Sequence, residues 1–185
     1  MNQARIVAGS AKGRGLQVPD GVRPTSAMCR KVMLDALGDA VVGTEVLDLF
    51  AGAGVLSAEV LSRGADHVVA VERSPRIAAV WGRNLDRVGF GTEGDIMVTT
   101  ARRAVRSLIE RGRLFALIFA DPPYGLPETA DLWSDTPWAS LLTPGGRLII
   151  EQGVKDPRPE PAGLEVIWER RAGDTMIYMF RREDA

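Results

Sequence analysis

From residue 44 onward the chain alternates between short apolar runs of strand length and longer segments with helical periodicity. That alternation admits few folds. Strands separated by helices cannot pair as hairpins, so they pair in parallel, and the helices cover both faces of one sheet. Strands are expected over Thr44–Phe50, His67–Glu72, Ile96–Thr100, Leu114–Ala120 and Arg147–Glu151. Helices are expected over Val55–Arg63, Pro75–Val88 and Ala101–Arg111, each followed by a glycine, and a broken helical stretch over 128–142 contains Pro137. Residues 153–163 make a proline-rich loop. Leu164–Arg170 and Thr175–Arg181 are joined by four residues, too few for a crossover, so this last pair is antiparallel. The expected body is an α/β, Rossmann-like sheet of seven strands, mostly parallel and closed by an antiparallel hairpin.

Ahead of this body, Arg5–Ala8 and Arg14–Val18 flank Gly9-Ser10-Ala11-Lys12-Gly13 and predict a β-hairpin. Two short strands do not stand alone, so the hairpin is expected to lie on the main body or on a partner. After the Pro19–Pro24 turn region, Thr25 or Ser26 caps a helix to about Leu37. Cys29, Val32, Met33, Ala36 and Leu37 form its apolar stripe, with Arg30 and Lys31 expected outside it. A boundary near residue 43 then separates an amino-terminal hairpin and helix (1–43) from the sheet domain (44–185).

Charge divides along the same line. Residues 1–38 carry six basic side chains against Asp20 and Asp35, a balance of +4, although the whole chain is at −1. A basic extension on a mildly acidic body marks where a polyanion could dock; a solvated hairpin without that role is the alternative. Single copies of cysteine (Cys29) and histidine (His67) leave no internal disulfide and make a zinc site unexpected, so no metal is anticipated. No apolar run approaches a membrane span, and the polar start does not look like a signal peptide, so a cytoplasmic protein is expected.

Two stretches carry the chemistry. The first strand runs into Asp48-Leu49-Phe50-Ala51-Gly52-Ala53-Gly54, and a helix follows at once. Glycines there let a ligand approach the backbone at a helix amino terminus. The third glycine of the dinucleotide fingerprint is absent, because position 57 is Ser57. Asp48 is also a poor neighbour for a pyrophosphate and suits a ligand with an ammonium group. Glu72 ends the second strand, 18 residues beyond Gly54, where a carboxylate takes ribose hydroxyls. A nucleoside with a cationic, phosphate-free tail fits both, and S-adenosylmethionine is such a molecule.

The second stretch is Asp121-Pro122-Pro123-Tyr124, directly after the fourth strand. An exocyclic amine on a base is a poor nucleophile because its lone pair is delocalised into the ring. The Asp121 carboxylate and the Pro122 carbonyl can accept both amine hydrogens and favour a pyramidal nitrogen, with proline geometry fixing their spacing. Tyr124 can stack on a base held out of its helix. Asp121 can also take the proton released on methylation.

These motifs resemble the class I S-adenosylmethionine-dependent methyltransferases. Together with Leu61-Ser62-Arg63-Gly64-Ala65, Asn84-Leu85, Arg5-Ile6-Val7-Ala8-Gly9, Gly13-Arg14, Leu16, Arg23-Pro24-Thr25 and Arg30, they resemble more narrowly the bacterial small-subunit (16S) rRNA guanine-N2 methyltransferases, the D family. The resemblance covers nearly the whole chain. It implies a cofactor site built from Asp48, Phe50, Ala51, Gly52, Gly54, Glu72, Arg73, Thr100, Ala101 and Asp121. It also implies presentation of the guanine amine by Asp121 to Tyr124, and RNA contacts from Arg5, Lys12, Arg14, Arg23, Thr25 and Arg30. The substrate implied is 16S rRNA or the small ribosomal subunit, met by a monomer.

Two departures stand out. Ala27-Met28 replaces the usual Asp-Arg pair after Thr25, and Thr99-Thr100-Ala101 stands where an acid commonly faces adenine. Adenine is then left to backbone groups, or to Asp95 in a shifted register. Arg102, Arg103 and Arg106 read as a charged outer face, His67 as structural, and Trp81, Trp133, Trp138 and Trp168 as core candidates, with Trp133 bordering the site. A DNA amino-methyltransferase shares the Asp121 tetrad, but the sheet consumes almost everything after residue 43 and leaves no module to read base edges. A protein glutamine methyltransferase leaves the basic extension unexplained. A catalytically retired RNA-binding module leaves the intact acids and glycines unexplained.

Overall fold

The computed structural model describes residues 2–22, 26–123 and 128–182. A two-stranded antiparallel hairpin, β1 (Asn2–Arg5) and β2 (Gly15–Val18), precedes α1 (Ala27–Leu37). The sheet domain follows as β3 (Glu45–Asp48), α2 (Val55–Ser62), β4 (His67–Glu72), α3 (Pro75–Val88), β5 (Gly94–Val98), α4 (Ala101–Glu110), β6 (Phe115–Ala120), α5 (Glu128–Asp135), β7 (Leu142–Gly153), β8 (Leu164–Ala172) and β9 (Thr175–Arg182). Strand order across the seven-stranded sheet is β5-β4-β3-β6-β7-β9-β8. β3 to β7 run parallel, and β9 is antiparallel to both β7 and β8, as the short final connection requires. No helix among the described residues is long and apolar enough to cross a membrane.

Several boundaries differ from expectation: the first strand lies at Asn2–Arg5 and not at Arg5–Ala8, β3 is shorter at both ends than Thr44–Phe50, and three further differences have packing reasons. β5 starts two residues early, at Gly94, because a side chain there would meet Trp81 and Leu85 of α3 at 2.7 and 2.8 Å. A glycine inside a strand here marks close approach by a helix. The helical stretch 128–142 stops at Asp135; after Pro137 a 3₁₀ turn (Trp138–Ser140) leads into β7. β7 is longer than expected because Leu142 pairs with Phe115 before a bulge restores the register at Leu117 and Arg147. In the hairpin, the ladder continues as Ile6 exchanges hydrogen bonds with Gly13 and Arg14, but Val7 and Ala8 turn their N–H groups to another partner described below.

The sheet has two covered faces. Val46, Ala70, Leu117, Phe119 and Ile149 pack under α1, α2 and α3, in the same buried cluster as Ile6, Leu16 and Val18 of the hairpin. Leu47, Val71, Ile118 and Ile150 pack under α4 and α5, with Trp133 and Trp138 stacked at 5.9 Å between ring centroids. Segment 1–43 thus contributes to the core of the sheet domain. Trp81, Trp133 and Trp138 are core residues, and Trp168 is partly buried. His67 Nε2 lies 3.1 Å from Asp95 near the amino-terminal end of the sheet.

Helix α1 corrects the expected stripe. Ser26 caps it, accepting from the Cys29 N–H at 3.0 Å. The buried face is Cys29, Arg30, Met33, Leu34 and Leu37, whereas Ala36 is exposed. Arg30 therefore points inward. Its side chain is 2% exposed and donates to the Arg5 carbonyl at 3.1 Å, with Nε 4.0 Å from the Glu59 carboxylate.

Candidate active site

A cavity of about 550 Å³ opens at the carboxyl ends of the parallel strands, where such sheets bind their ligands. Strand register explains its chemistry. Asp48 pairs with Ala70 and with Phe119, and Ala120 pairs with Ile150. Counting on from these pairs, Glu72, Phe50, Asp121 and Glu151 fall in one row across four neighbouring strands. Period-two alternation keeps Glu72, Asp121 and Glu151 on the face that carries Ala70, Phe119 and Ile149. Asp48 shares that face, one pleat lower.

Among the residues anticipated for the site, Phe50, Gly52, Glu72, Arg73, Thr100, Ala101, Asp121, Pro122 and Pro123 all line the cavity. Thr100 caps α4 by accepting from the Arg103 N–H at 3.4 Å, so Thr99 to Ala101 bring a helix amino terminus to the wall. Tyr124, Arg23 and Thr25 lie outside the described residues.

Three residues anticipated for the cofactor do not line this cavity. Asp48 is 3% exposed and does not line the cavity; it accepts a 2.7 Å hydrogen bond from Ser57 Oγ, which in turn accepts from Trp81 Nε1 at 3.0 Å. Burial, with the nearby Asp121 and Glu72 charges, pushes its carboxyl up to about 7, against the Ser57 and Phe50 hydrogen bonds. Its role is beneath the loop. Gly54 is a packing glycine: it has φ of +82°, and a Cβ there would lie 2.6 Å from Trp81 Cδ1. Ala51 is buried, with its N–H on the Val71 carbonyl at 3.0 Å. Asp95 is excluded from adenine, because it pairs with Val69, three residues short of the strand end, and faces His67.

The basic extension is also redistributed. Glu59 of α2, fully buried, accepts from the Val7 and Ala8 N–H groups at 2.9 and 3.0 Å and is flanked by Arg30 and Arg63. Gly9 (φ +80°) lies so close to the Ser62 carbonyl that a Cβ would overlap it. Asn84 of α3 exchanges hydrogen bonds with the Gln17 backbone at 2.9 and 2.8 Å and also donates to the Ala53 carbonyl in the glycine loop. Arg14 donates to the Val88 carbonyl at the end of α3 at 2.8 Å, a favourable place for a cation. Arg30 is thus turned inward, whereas Arg5, Lys12 and Arg14 are exposed, Arg14 with an N–H on the Val88 carbonyl and Arg5 with one on the Gly13 carbonyl at 3.0 Å.

Several lining residues were not singled out from sequence. Gly21 and Val22 come from the turn after β2, Asp131 and Leu132 from α5, and Arg102, grouped above with an outer face, pairs with Asp131 at 3.7 Å at the rim. Glu151 is the most telling. It lies in β7 level with Asp121, two residues before the strand stops, and an acid directly after the apolar run Leu148-Ile149-Ile150 was a signal open to the sequence. The wall thereby carries Glu72, Asp121 and Glu151, which suits a cationic ligand, while the Glu72 carboxylate is positioned by accepting from the Ser74 N–H at 2.7 Å. These residues fit S-adenosylmethionine: Glu72 for ribose hydroxyls, the Gly52 turn for the tail, and Thr99–Ala101 for the base.

Comparison with known proteins agrees. Residues 4–181 match the model of the family described as Conserved hypothetical protein 95. Ribosomal RNA small subunit methyltransferase D of Escherichia coli K12 is 31% identical over 187 residues, covering 98% of this chain and 91% of that protein. The solved structure of the Escherichia coli protein yhhF superposes with a TM-score of 0.82 at 29% identity over the full length of both chains. A methyltransferase-fold structure complexed with SAH, SMU.776, covers 90% of this chain and 53% of its own at a TM-score of 0.69; at 12% identity it is alike in fold alone. With its cofactor row, its sheet order and these relatives, the chain belongs to the Conserved hypothetical protein 95 family alongside Ribosomal RNA small subunit methyltransferase D and is an S-adenosylmethionine-dependent methyltransferase.

Proposed function

We propose that the enzyme methylates the exocyclic N2 amine of a guanine in 16S rRNA, presented by the small ribosomal subunit. The observation that carries this is the placement of Asp121, Pro122 and Pro123 on the cavity wall, in one row with Glu72. S-adenosylmethionine supplies a methyl group on a sulfonium sulfur, which departs with the carbon–sulfur bonding electrons. The protein's part is to hold the amine. Asp121 and the Pro122 carbonyl accept its two hydrogens, so that the nitrogen lone pair points along the line of transfer. As the nitrogen–carbon bond forms, the surplus proton passes to Asp121 or through it to water. Tyr124 offers a ring for the extruded base.

Exposed Arg5 and Lys12 on the clamped hairpin, with Arg23 and Thr25 later in the sequence, make up the proposed RNA-binding set. Such a surface steers a polyanion but reads few base edges, which favours a substrate whose own shape supplies the specificity. The reading includes a cytoplasmic monomer that needs no metal. Light scattering on the purified protein and activity in a chelator check the last two points.

Incubation with labelled S-adenosylmethionine and three acceptors (hypomethylated small subunits, naked rRNA and DNA), followed by digestion to nucleosides, tests the substrate. Label in N2-methylguanosine from subunits supports it. Label in a DNA base, or in a different RNA nucleoside, overturns it.

A further inference from the structure

We infer that the amino-terminal hairpin is part of the cofactor site and that Asn84 is the positioning residue joining the two, so that cofactor and docked hairpin hold each other in place. Where the hairpin takes up RNA, cofactor and RNA then bind cooperatively. That last step rests on the function proposed above; the joint itself does not.

Three segments meet at Asn84, which stands on α3 and is 1% exposed. Its Nδ2 donates to the Gln17 and Ala53 carbonyls, both at 2.8 Å, and its Oδ1 accepts from the Gln17 N–H at 2.9 Å. Toward β2 the side chain acts as a neighbouring strand would, exchanging both bonds with one residue. Toward the glycine loop it fixes the peptide that follows Ala53. An amide that only secured the hairpin to α3 would not need the third bond. That bond carries the position of the hairpin into the site.

Two walls of the cavity hang from this joint. Gly52, next to Ala53, lines the cavity from the loop, and Gly21 and Val22 line it from the turn that follows β2. The two walls are in contact, since a Cβ built on Gly52 would lie 3.6 Å from Val22 Cγ1. Little slack separates Gln17 from that contact: Val18 is fully buried, and the Val22 N–H donates to the Pro19 carbonyl at 3.2 Å. Displacing β2 therefore draws Val22 off Gly52, and releasing Ala53 frees the loop beneath it. By linkage, the factor by which a docked hairpin improves cofactor affinity is also the factor by which cofactor holds the hairpin down.

The experiment uses the full chain, with S-adenosylhomocysteine as the probe so that no turnover intervenes. Native-state hydrogen exchange is followed at the Val7, Ala8 and Gln17 amides, with those of β6 as the reference for global unfolding. In wild-type protein, saturating ligand is expected to slow the hairpin amides by about 5- to 20-fold. Asn84→Ala should weaken the ligand by a similar factor in calorimetry, and ligand should then no longer slow those amides. Val22→Ala leaves the bonds of Asn84 in place and should weaken the ligand about threefold while keeping part of the protection.

Hairpin amides that ligand leaves unmoved in wild-type protein overturn the inference without any variant, so it stays testable even if Asn84→Ala fails to fold. A folded Asn84→Ala with a lower melting temperature and unchanged ligand affinity overturns it too, because that is the signature of an asparagine that only secures the fold. Small subunits are added last. They should tighten S-adenosylhomocysteine binding to wild-type protein by about fivefold or more, and not to Asn84→Ala. With the first two results intact, absence of that gain overturns the RNA role of the hairpin and leaves the joint standing.

Discussion

The carboxyl edge of the sheet and the amino-terminal hairpin are both built around acids that are partly or fully buried, and they place them differently. At the edge, Glu72, Asp121 and Glu151 stand in one row at the carboxyl ends of three parallel strands and line a cavity. In the hairpin clamp, Glu59 spends its two oxygens on the Val7 and Ala8 N–H groups, between two arginines. Nothing there faces outward. A buried carboxylate surrounded by protein donors holds structure, and one that opens on a cavity is available for chemistry. The cations divide too: Arg30 is buried against the clamp, whereas Arg5 and Lys12 are exposed and belong to the proposed RNA face.

The sharpest way to break this comparison is at the edge. Asp121→Ala is expected to lower methyl transfer by about 10³- to 10⁴-fold in single-turnover assays while calorimetry finds S-adenosylmethionine affinity within a few-fold of wild type. Retained activity would remove Asp121 from the mechanism. In the clamp, Glu59→Ala removes the acceptor of the Val7 and Ala8 N–H groups and the carboxylate 4.0 Å from the buried Arg30, and should cost about 3 kcal/mol or more in urea unfolding. It should also expose the hairpin to proteolysis before the sheet domain. An unchanged midpoint would mean that the hairpin is held by its apolar contacts alone. Gly9→Ala forces a side chain toward the Ser62 carbonyl in a left-handed backbone conformation and is expected to cost about 2 kcal/mol.

Asp48 lies between the two regimes, and pH reads it out. Its carboxyl titrates near 7 in the folded protein instead of at 3.8. Across that window the folded state therefore binds a proton that the unfolded chain has released. Stability from this group is present at low pH and is lost as pH rises toward 7, at roughly 1 kcal/mol per pH unit or less. Asp48→Asn should flatten that part of the profile relative to wild type in unfolding midpoints taken from pH 5 to 8. A profile parallel to wild type would show that Asp48 ionises normally. The smallest effect is expected on the surface. Neutralising Arg5 and Lys12 should leave stability unchanged within about 0.5 kcal/mol and reduce the salt slope of subunit binding by about one to two. An unchanged slope would move the RNA face elsewhere.

Much of the fold could be read from the order of elements alone. The bounds of β4 and α3 are those expected, because alternating or helical apolar patterns there end at clear stops such as Gly89. Gly94 hid the start of β5, since a glycine argues against a strand until the Trp81 ring above it is known. That Asp121 to Pro123 and Glu72 meet at one edge was legible because strand ends place side chains there whatever the details of packing. That Gly54 packs against Trp81 and that Arg30 points inward were hidden from the sequence for a common reason. Whether a glycine makes room for a ligand or for a tryptophan, and whether an arginine meets RNA or Glu59, depends on a residue distant in sequence.

The sequence by itself therefore determined the sheet, its functional edge and the residue types at that edge, since strand period, crossover length and chain stops are local properties. Only the tertiary structure decided that the hairpin is clamped to α2 and α3, that Asp48 lies beneath the loop, and that Glu151 stands beside Asp121. Those facts rest on pairings across fifty residues in the clamp and on strand register at the edge. Register is set by the packing of the whole core, and no single segment encodes it.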